Sequence, residues 1–239
     1  MTESEVESKA ESKKSRVIAI DGPSGSGKST IAKLVAQKLD LVYLDTGAMF
    51  RAIAYFLDQG QVSADDDELV QNKLEEFNFI YAKDENCLVE VDGVDLTEKI
   101  REHHVSKLAS IYSQNSIVRN YLKKLQQKIA SVRPSILEGR DIGTVVFPNA
   151  AVKFFLTANN EVRAQRRYSQ IKEKDPDSSL TVESIMADII KRDEEDSNRE
   201  IAPLVKAQDA IEIDTSSLSV DEIIEIICEK FGLNQQHFS

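Results

Sequence analysis

Tryptophan is absent from this chain of 239 residues, cysteine occurs twice and histidine three times. Cys87 and Cys228 form no CxxC pair and have no histidine pair beside them, so a zinc site or a disulfide framework has no basis, and both read as small buried residues. No apolar run approaches the roughly 20 residues needed to cross a bilayer, so no membrane role is expected. The opening "MTESEVESKAESKKSR" lacks the apolar stretch of a secretory signal, and the expectation is a cytoplasmic protein. Basic charge is also short: 30 lysines and arginines stand against 41 acids, for a net charge of −11. That balance argues against nucleic acid as a ligand, although a few arginines converging in one cleft can still hold a phosphorylated small molecule. Glycine is sparse too, with nine in the chain, and the stretch "IDGPSGSGKST" at residues 20–30 holds Gly22, Gly25 and Gly27.

That clustering has a mechanical reading. Gly22, Gly27, Lys28 and Ser29 fit the phosphate-loop spacing, with Pro23, Ser24, Gly25 and Ser26 filling the turn and Thr30 following it. Glycines let the backbone turn so that successive N–H groups face phosphate oxygens, and the helix that follows offers its positive end. Lys28 adds a point charge for the terminal phosphates of a nucleoside triphosphate such as ATP, and a hydroxyl beside it can reach Mg²⁺. The run "RVIAI" before the loop reads as a buried strand and "STIAKLVAQKL" after it as an amphipathic helix, which is the context the motif requires. A flexible linker would not sit between two such segments.

Along the rest of the chain "LVYL", "SILEG", "VKFFLT" and "AIEID" alternate with helical patterns at 28–39, 46–58, 97–112, 116–132, 160–173, 181–198 and 219–231. Strand–helix alternation of this kind predicts a parallel sheet covered on both faces. The polar–apolar alternation of "FNFIYAKDENCLVEVDGVDL", with "KDEN" and "DG" as turn signals, predicts a small antiparallel sheet inserted between about 63 and 100. Two charged helices joined by "EKDPDSS" read as a mobile flap.

The charges left over gather at strand ends, where open α/β sheets bind ligands. "YLDTGAMFR" places Asp45, Thr46 and Arg51 after the second strand, with Thr46 suited to cap the next helix. "LEGRDIGTVVFP" places Glu138, Arg140 and Asp141 at the same edge, where a carboxylate could organise Mg²⁺ or accept from the amino group of a base. Arg163, Arg166 and Arg167 share one helical face with Glu161 as the acid near them, and Arg192 and Arg199 share another, which reads as a convergent anion site.

In order and spacing, "IDGPSGSGKST", "LDTGAMFRA", "EGRDIGTVVFP" and "KRDEEDSNREIAPL" resemble the bacterial cytidylate kinase family, P-loop kinases acting on CMP and dCMP, from about Arg16 to Phe231. The resemblance implies an α/β P-loop kinase with a five-stranded parallel sheet flanked by helices, a small antiparallel β insertion in the monophosphate-binding subdomain, and a helical lid. The corresponding segments are a disordered tail at 1–15, a core at 16–62 and 133–231 with its lid at about 160–200, a CMP-binding subdomain at 63–132, and a C-terminal tail at 232–239. It also implies that Arg51, Arg140 and Arg199 clamp the acceptor phosphate, that Ser110, Arg119 and Asp141 read cytosine, and that Arg192 and Asp196 hold the ribose. Lys28, Arg163 and Arg167 would neutralise the transferring group, Thr46 stands where serine is frequent, and Ser29 or Thr30 would contact Mg²⁺. A monomer working on small molecules is the expectation. Rival readings are a P-loop kinase for another acceptor, such as shikimate, and a GTP-binding switch. The latter needs NKxD, and the nearest text, "NKLE" at 72–75, ends in glutamate.

Overall fold

The computed structural model describes residues 15–82 and 88–232. Cys87 and the "KDEN" turn signal lie outside the described residues, as does nearly all of both expected tails; Ser15, assigned above to the first tail, instead opens a strand. In chain order, β1 (Ser15–Asp21), α1 (Lys28–Leu39), β2 (Val42–Asp45) and α2 (Thr46–Gln59) form the first part of the core. An insertion follows, made of α3 (Asp67–Glu75), the short strands β3 (Phe79–Tyr81), β4 (Val89–Val91) and β5 (Val94–Asp95), and helices α4 (His103–Tyr112) and α5 (Ser116–Ala130). The core resumes with β6 (Ser135–Gly139) and β7 (Ala150–Thr157), passes out through α6 (Asn160–Lys174) and α7 (Val182–Asn198), and ends with β8 (Ile211–Asp214) and α8 (Val220–Gly232).

The main sheet is parallel throughout, in the order β2-β6-β1-β7-β8. From β1 the chain moves to one side of the sheet, and from β6 to β7 it crosses to the other. The crevice at the carboxyl ends of β1 and β6 is therefore where such a sheet takes its ligand. Alternation along β1 explains its unbroken apolar text. Ile18 and Ile20 pack under α1 and α8, while Val17 and Ala19 face α5 and the turn after β6. Each buried isoleucine is worth about 1.5–3 kcal/mol, so a polar residue at either position would unseat the strand that carries the phosphate loop.

The insertion is built on α2, whose Met49, Ile53 and Leu57 share a core with Val70, Leu74, Val89, Ile100 and Leu122. Its three strands form the antiparallel sheet expected, and Asp92 and Gly93 both adopt positive φ at the β4–β5 turn, as a two-residue hairpin demands. Helices α6 and α7 form a core of their own around Ala164, Ile185 and Ile189, separate from those of the sheet.

Three details differ from the sequence reading. Helix α3 was not expected, although Asp66 caps it through Leu69 N–H and Val70 and Leu74 face inward. The helix expected at 97–112 is broken, because Glu102 is extended between a 3-10 turn at Lys99–Arg101 and α4. Cys228 is half-buried rather than buried, on the flank of the α1–α8 core. None of the described helices is long and apolar enough to cross a membrane.

Candidate active site

The phosphate loop lies directly against β7. A Cβ on Gly22 would come within 2.1 Å of the Leu156 carbonyl oxygen, and φ there is +147°, so no other residue fits. Lys28 is 5 % exposed and its Nζ donates to the Pro23 carbonyl at 2.6 Å. Burial first, then repulsion from Arg140, pushes this ammonium down to about 7, against attraction from Glu138 and Asp21. A lysine so destabilised gains the most from an anion placed beside it. The Ser29 hydroxyl donates to Glu138 Oε1 at 2.7 Å, so of the two hydroxyls proposed for a metal it is Ser29 that meets a carboxylate. Burial and the neighbouring Asp45 hold the Glu138 carboxyl above the usual range. Sequence reasoning placed Glu138 at the sheet edge, where a carboxylate could organise Mg²⁺, but could not pair it with Ser29, which lies 109 residues away.

Thr46 is not the helix cap. Asp45 caps α2 by accepting from Ala48 N–H, and Thr46 Oγ1 donates instead to the Glu138 carbonyl at 2.7 Å, tying α2 to the end of β6. Asp45 also pairs with Arg51 at 3.3 Å, and its own N–H donates to Tyr81 Oη at 2.6 Å. Tyr81 belongs to the inserted sheet, so the insertion touches the residue that holds Arg51.

Across the cleft Arg119 and Asp141 form a buried pair at 2.5 Å, with Arg119 also donating to the Ser113 carbonyl and lying over the Phe50 ring. Arg199 approaches Asp141 and Asp196 at 3.6 Å each, and Arg140 Nε donates to Asp196 at 2.8 Å. Ser110 lines the same cleft, its hydroxyl donating to the Ser106 carbonyl. Arg167 and Arg192 also line it; Arg192 is attracted by the Asp196 carboxylate, and among the described residues Arg167 makes no salt bridge. Burial and the repulsion of Arg140 push Arg192 down to about 10, and Arg192 Nε, Arg51 Nε and one Arg199 Nη are buried donors with no acceptor. Buried donors are seldom left so. The cleft, of about 1240 Å³, brings together the loop, these six arginines, Asp141 and Asp196.

The arginine triplet of α6 divides. Arg163 is not part of the cleft: it is 3 % exposed, pairs with Asp193 of α7 at 2.6 Å and donates to the Ser24 carbonyl of the phosphate loop at 3.0 Å. Arg166 donates to Thr215, whose hydroxyl donates in turn to the Ser26 carbonyl. The expectation that Glu161 was the acid near these side chains fails because Asp193, on the next helix, folds back onto Arg163. Arg167 makes no salt bridge among the described residues and lies on the acceptor side, beside Arg51.

For Mg²⁺ the chemistry of the donors fits. Ser29 Oγ and the Glu138 carboxylate are adjacent hard oxygen donors, with Asp45 close enough to perturb Glu138. No cluster of three or more histidine, cysteine or acidic side chains suited to a metal occurs among the described residues. That is the expected arrangement for an ion that keeps most of its waters and leans on substrate phosphates.

The family model for cytidylate kinase matches residues 18–232, and so spans the loop, the insertion, the cleft and the α6–α7 pair. The cytidylate kinase of Fervidobacterium nodosum is 48% identical over 212 residues, covering 89% of this chain and 94% of the relative. That of Clostridium tetani is 46% identical over 211 residues, covering 88% and 91%. That of Thermosipho melanesiensis is 45% identical over 210 residues, covering 88% and 94%. With such identity sustained across nearly the whole of both partners, through the segments that build the cleft, the chain belongs to the cytidylate kinase family.

Proposed function

We infer that the protein is an ATP-dependent kinase that transfers the γ-phosphate to CMP or dCMP, giving ADP and CDP or dCDP in pyrimidine nucleotide metabolism, as a cytoplasmic monomer. The observation that carries this reading is the ring that Arg51, Arg119, Arg140, Arg167, Arg192 and Arg199 form around one cleft in a chain of net charge −11, with no salt bridge to Arg167 among the described residues. Such a ring is costly unless an anion completes it.

The nucleophile is an oxygen of the acceptor phosphate, already ionised near neutral pH, so no side chain has to remove a proton. No histidine lines the cleft among the described residues. Catalysis is then positioning and charge stabilisation. Lys28 and the loop amides hold the β- and γ-phosphates. Arg51, Arg140 and Arg199 grip the acceptor phosphate, the planar guanidinium setting its orientation as well as its position. Arg167 leans over the transferring group. Arg192 and Asp196 face the ribose, and Ser110, Arg119 and Asp141 face the base, where the Asp141 carboxylate accepts from an amino group that cytosine has and uracil lacks. Mg²⁺, when bound beside Ser29 and Glu138, supplies further screening of the phosphates.

A coupled ADP-release assay with Mg-ATP and CMP, dCMP, UMP, AMP, GMP and shikimate tests the reading. Strong turnover is expected with CMP and dCMP alone, and Lys28→Ala should lower it roughly 10²–10³-fold, the effect of removing one preorganised donor. Preference for another acceptor would overturn the pocket assignment, and near-normal turnover of the Lys28 variant would overturn that of the loop.

A further inference from the structure

The transfer chemistry above gives no task to a buried carboxylate behind the cleft. Asp21 is the last residue of β1 and is 4 % exposed. Its Oδ1 accepts from the N–H of Ile142 at 2.8 Å and its Oδ2 from the N–H of Gly143 at 2.7 Å. Those two amides open the π-helical turn Ile142–Val146, whose N-cap residue is Asp141.

An aspartate at an N-cap ordinarily turns its own carboxylate onto the first free amides of its turn. Asp141 does not: it makes no capping bond, and its oxygens face Arg119 and Arg199 instead. Of the amides such a cap takes, the Gly143 N–H is already held by Asp21 from the end of β1, which also holds the Ile142 N–H before it. The fit is close, since a Cβ on Gly143 would stand 3.3 Å from Asp21 Oδ2 and 3.0 Å from the Lys153 stem.

We propose that Asp21 is a positioning residue for base recognition: by capping the turn after β6 from outside, it releases the Asp141 carboxylate to face the base. The proposal rests on the reading that Asp141 meets cytosine. It distinguishes two carboxylates, one structural in its bonds and one presented to substrate, with the first setting the direction of the second. Asparagine at position 21 has a single oxygen acceptor beside its amide donor, so it no longer holds both amides, and Asp141 is drawn to the Gly143 N–H thus released.

The test compares Asp21→Asn, Asp141→Asn and the unaltered enzyme, measuring kcat and KM for CMP, UMP and ATP together with the thermal midpoint. The expected result for Asp21→Asn is a folded enzyme whose KM for ATP stays within twofold, whose KM for CMP rises about tenfold, and whose preference for CMP over UMP falls by a similar factor, the worth of one hydrogen bond. Asp141→Asn should lose at least as much preference. If Asp141→Asn loses preference and a folded Asp21→Asn keeps it, the positioning role is wrong and the base assignment stands. If neither variant loses it, both fall. Equal losses with CMP, UMP and ATP alongside a lowered midpoint would mark Asp21 as merely structural.

A second measurement needs no variant. Asp21 faces Lys28 from α1, Asp141 from its own turn and the stem of Lys153 from β7, and burial pushes its carboxyl up to about 6. Protonation removes one acceptor, so the CMP-to-UMP ratio of kcat/KM should fall severalfold from pH 8 to pH 5. Ionisation of the phosphate is common to both substrates and cancels in the ratio. A flat ratio would overturn the proposal.

Discussion

Replacing Asp21 by asparagine should change the pH dependence of stability in a way that can be worked out beforehand. The carboxyl is raised from its ordinary 3.8 to about 6, chiefly by burial, with the Gly143 and Ile142 amides and Lys28 opposing and Asp141 adding to the rise. The folded protein therefore binds this proton more tightly than the unfolded chain does. The stabilisation from protonation is complete below pH 3.8 and is lost as pH rises through about 6. Each pH unit between the two values corresponds to about 1.36 kcal/mol, so the full effect is about 3 kcal/mol. Of this, about 1.4 kcal/mol falls between pH 8 and pH 5, where the protein can be handled away from acid denaturation. The variant cannot titrate at this position. Whatever constant offset the substitution introduces, the unaltered protein should gain about 1.4 kcal/mol relative to the variant as pH falls from 8 to 5. Urea unfolding of both proteins at each pH, followed by two probes to establish two-state behaviour, measures this directly. A difference constant within about 0.3 kcal/mol, or one that moves the other way, would show that Asp21 does not carry the charge assigned to it.

Two further substitutions separate neighbouring roles. Tyr81→Phe removes the acceptor for Asp45 N–H and with it the tie between the inserted sheet and the cap that steadies Arg51; a loss of about 1–2 kcal/mol in stability is expected, with a severalfold higher KM for CMP and an unchanged KM for ATP, and an unaltered KM for CMP would refute the tie. Arg163→Met leaves Asp193 unpaired and the Ser24 carbonyl without its donor; a loss of about 3 kcal/mol in urea unfolding is expected, whereas a large fall in kcat with stability intact would return Arg163 to the transferring phosphate.

How much of this was legible beforehand follows from the range over which each feature is decided. The phosphate loop, its strand and its helix are contiguous, and glycine, lysine and hydroxyl at fixed spacing have few other uses, so residues 20–30 declared the site at once. The central strands were legible for a similar reason: a strand covered on both faces carries an apolar run, as Val17–Ile20 of β1 and Ile136–Leu137 of β6 do. Local spacing also placed Arg51, Arg140 and Asp141 at the sheet edge and Arg192 and Arg199 on one helical face of the flap, and the structure brings all five into one cleft. It missed α3, whose short apolar stripe of Val70 and Leu74 is filled out only by packing against α2 and α5.

Which charged group is left free was decided by the tertiary structure alone. Arg163 and Arg167 are equivalent on paper, one turn apart on one helix. Asp193 arrives from α7 to neutralise the first, and no carboxylate among the described residues pairs with the second. Thr46 read as the cap of α2, and the role fell to Asp45 while the Glu138 carbonyl, from a strand beyond the insertion, took the Thr46 hydroxyl. Asp21 drew no reading from the sequence, yet it holds two amides more than a hundred residues away. Sequence by itself determined where the phosphates go, because a backbone turn and its lysine are encoded within a few residues. The direction in which each carboxylate and guanidinium points depends on which partner arrives from elsewhere in the chain, and only the assembled sheet brings those partners together.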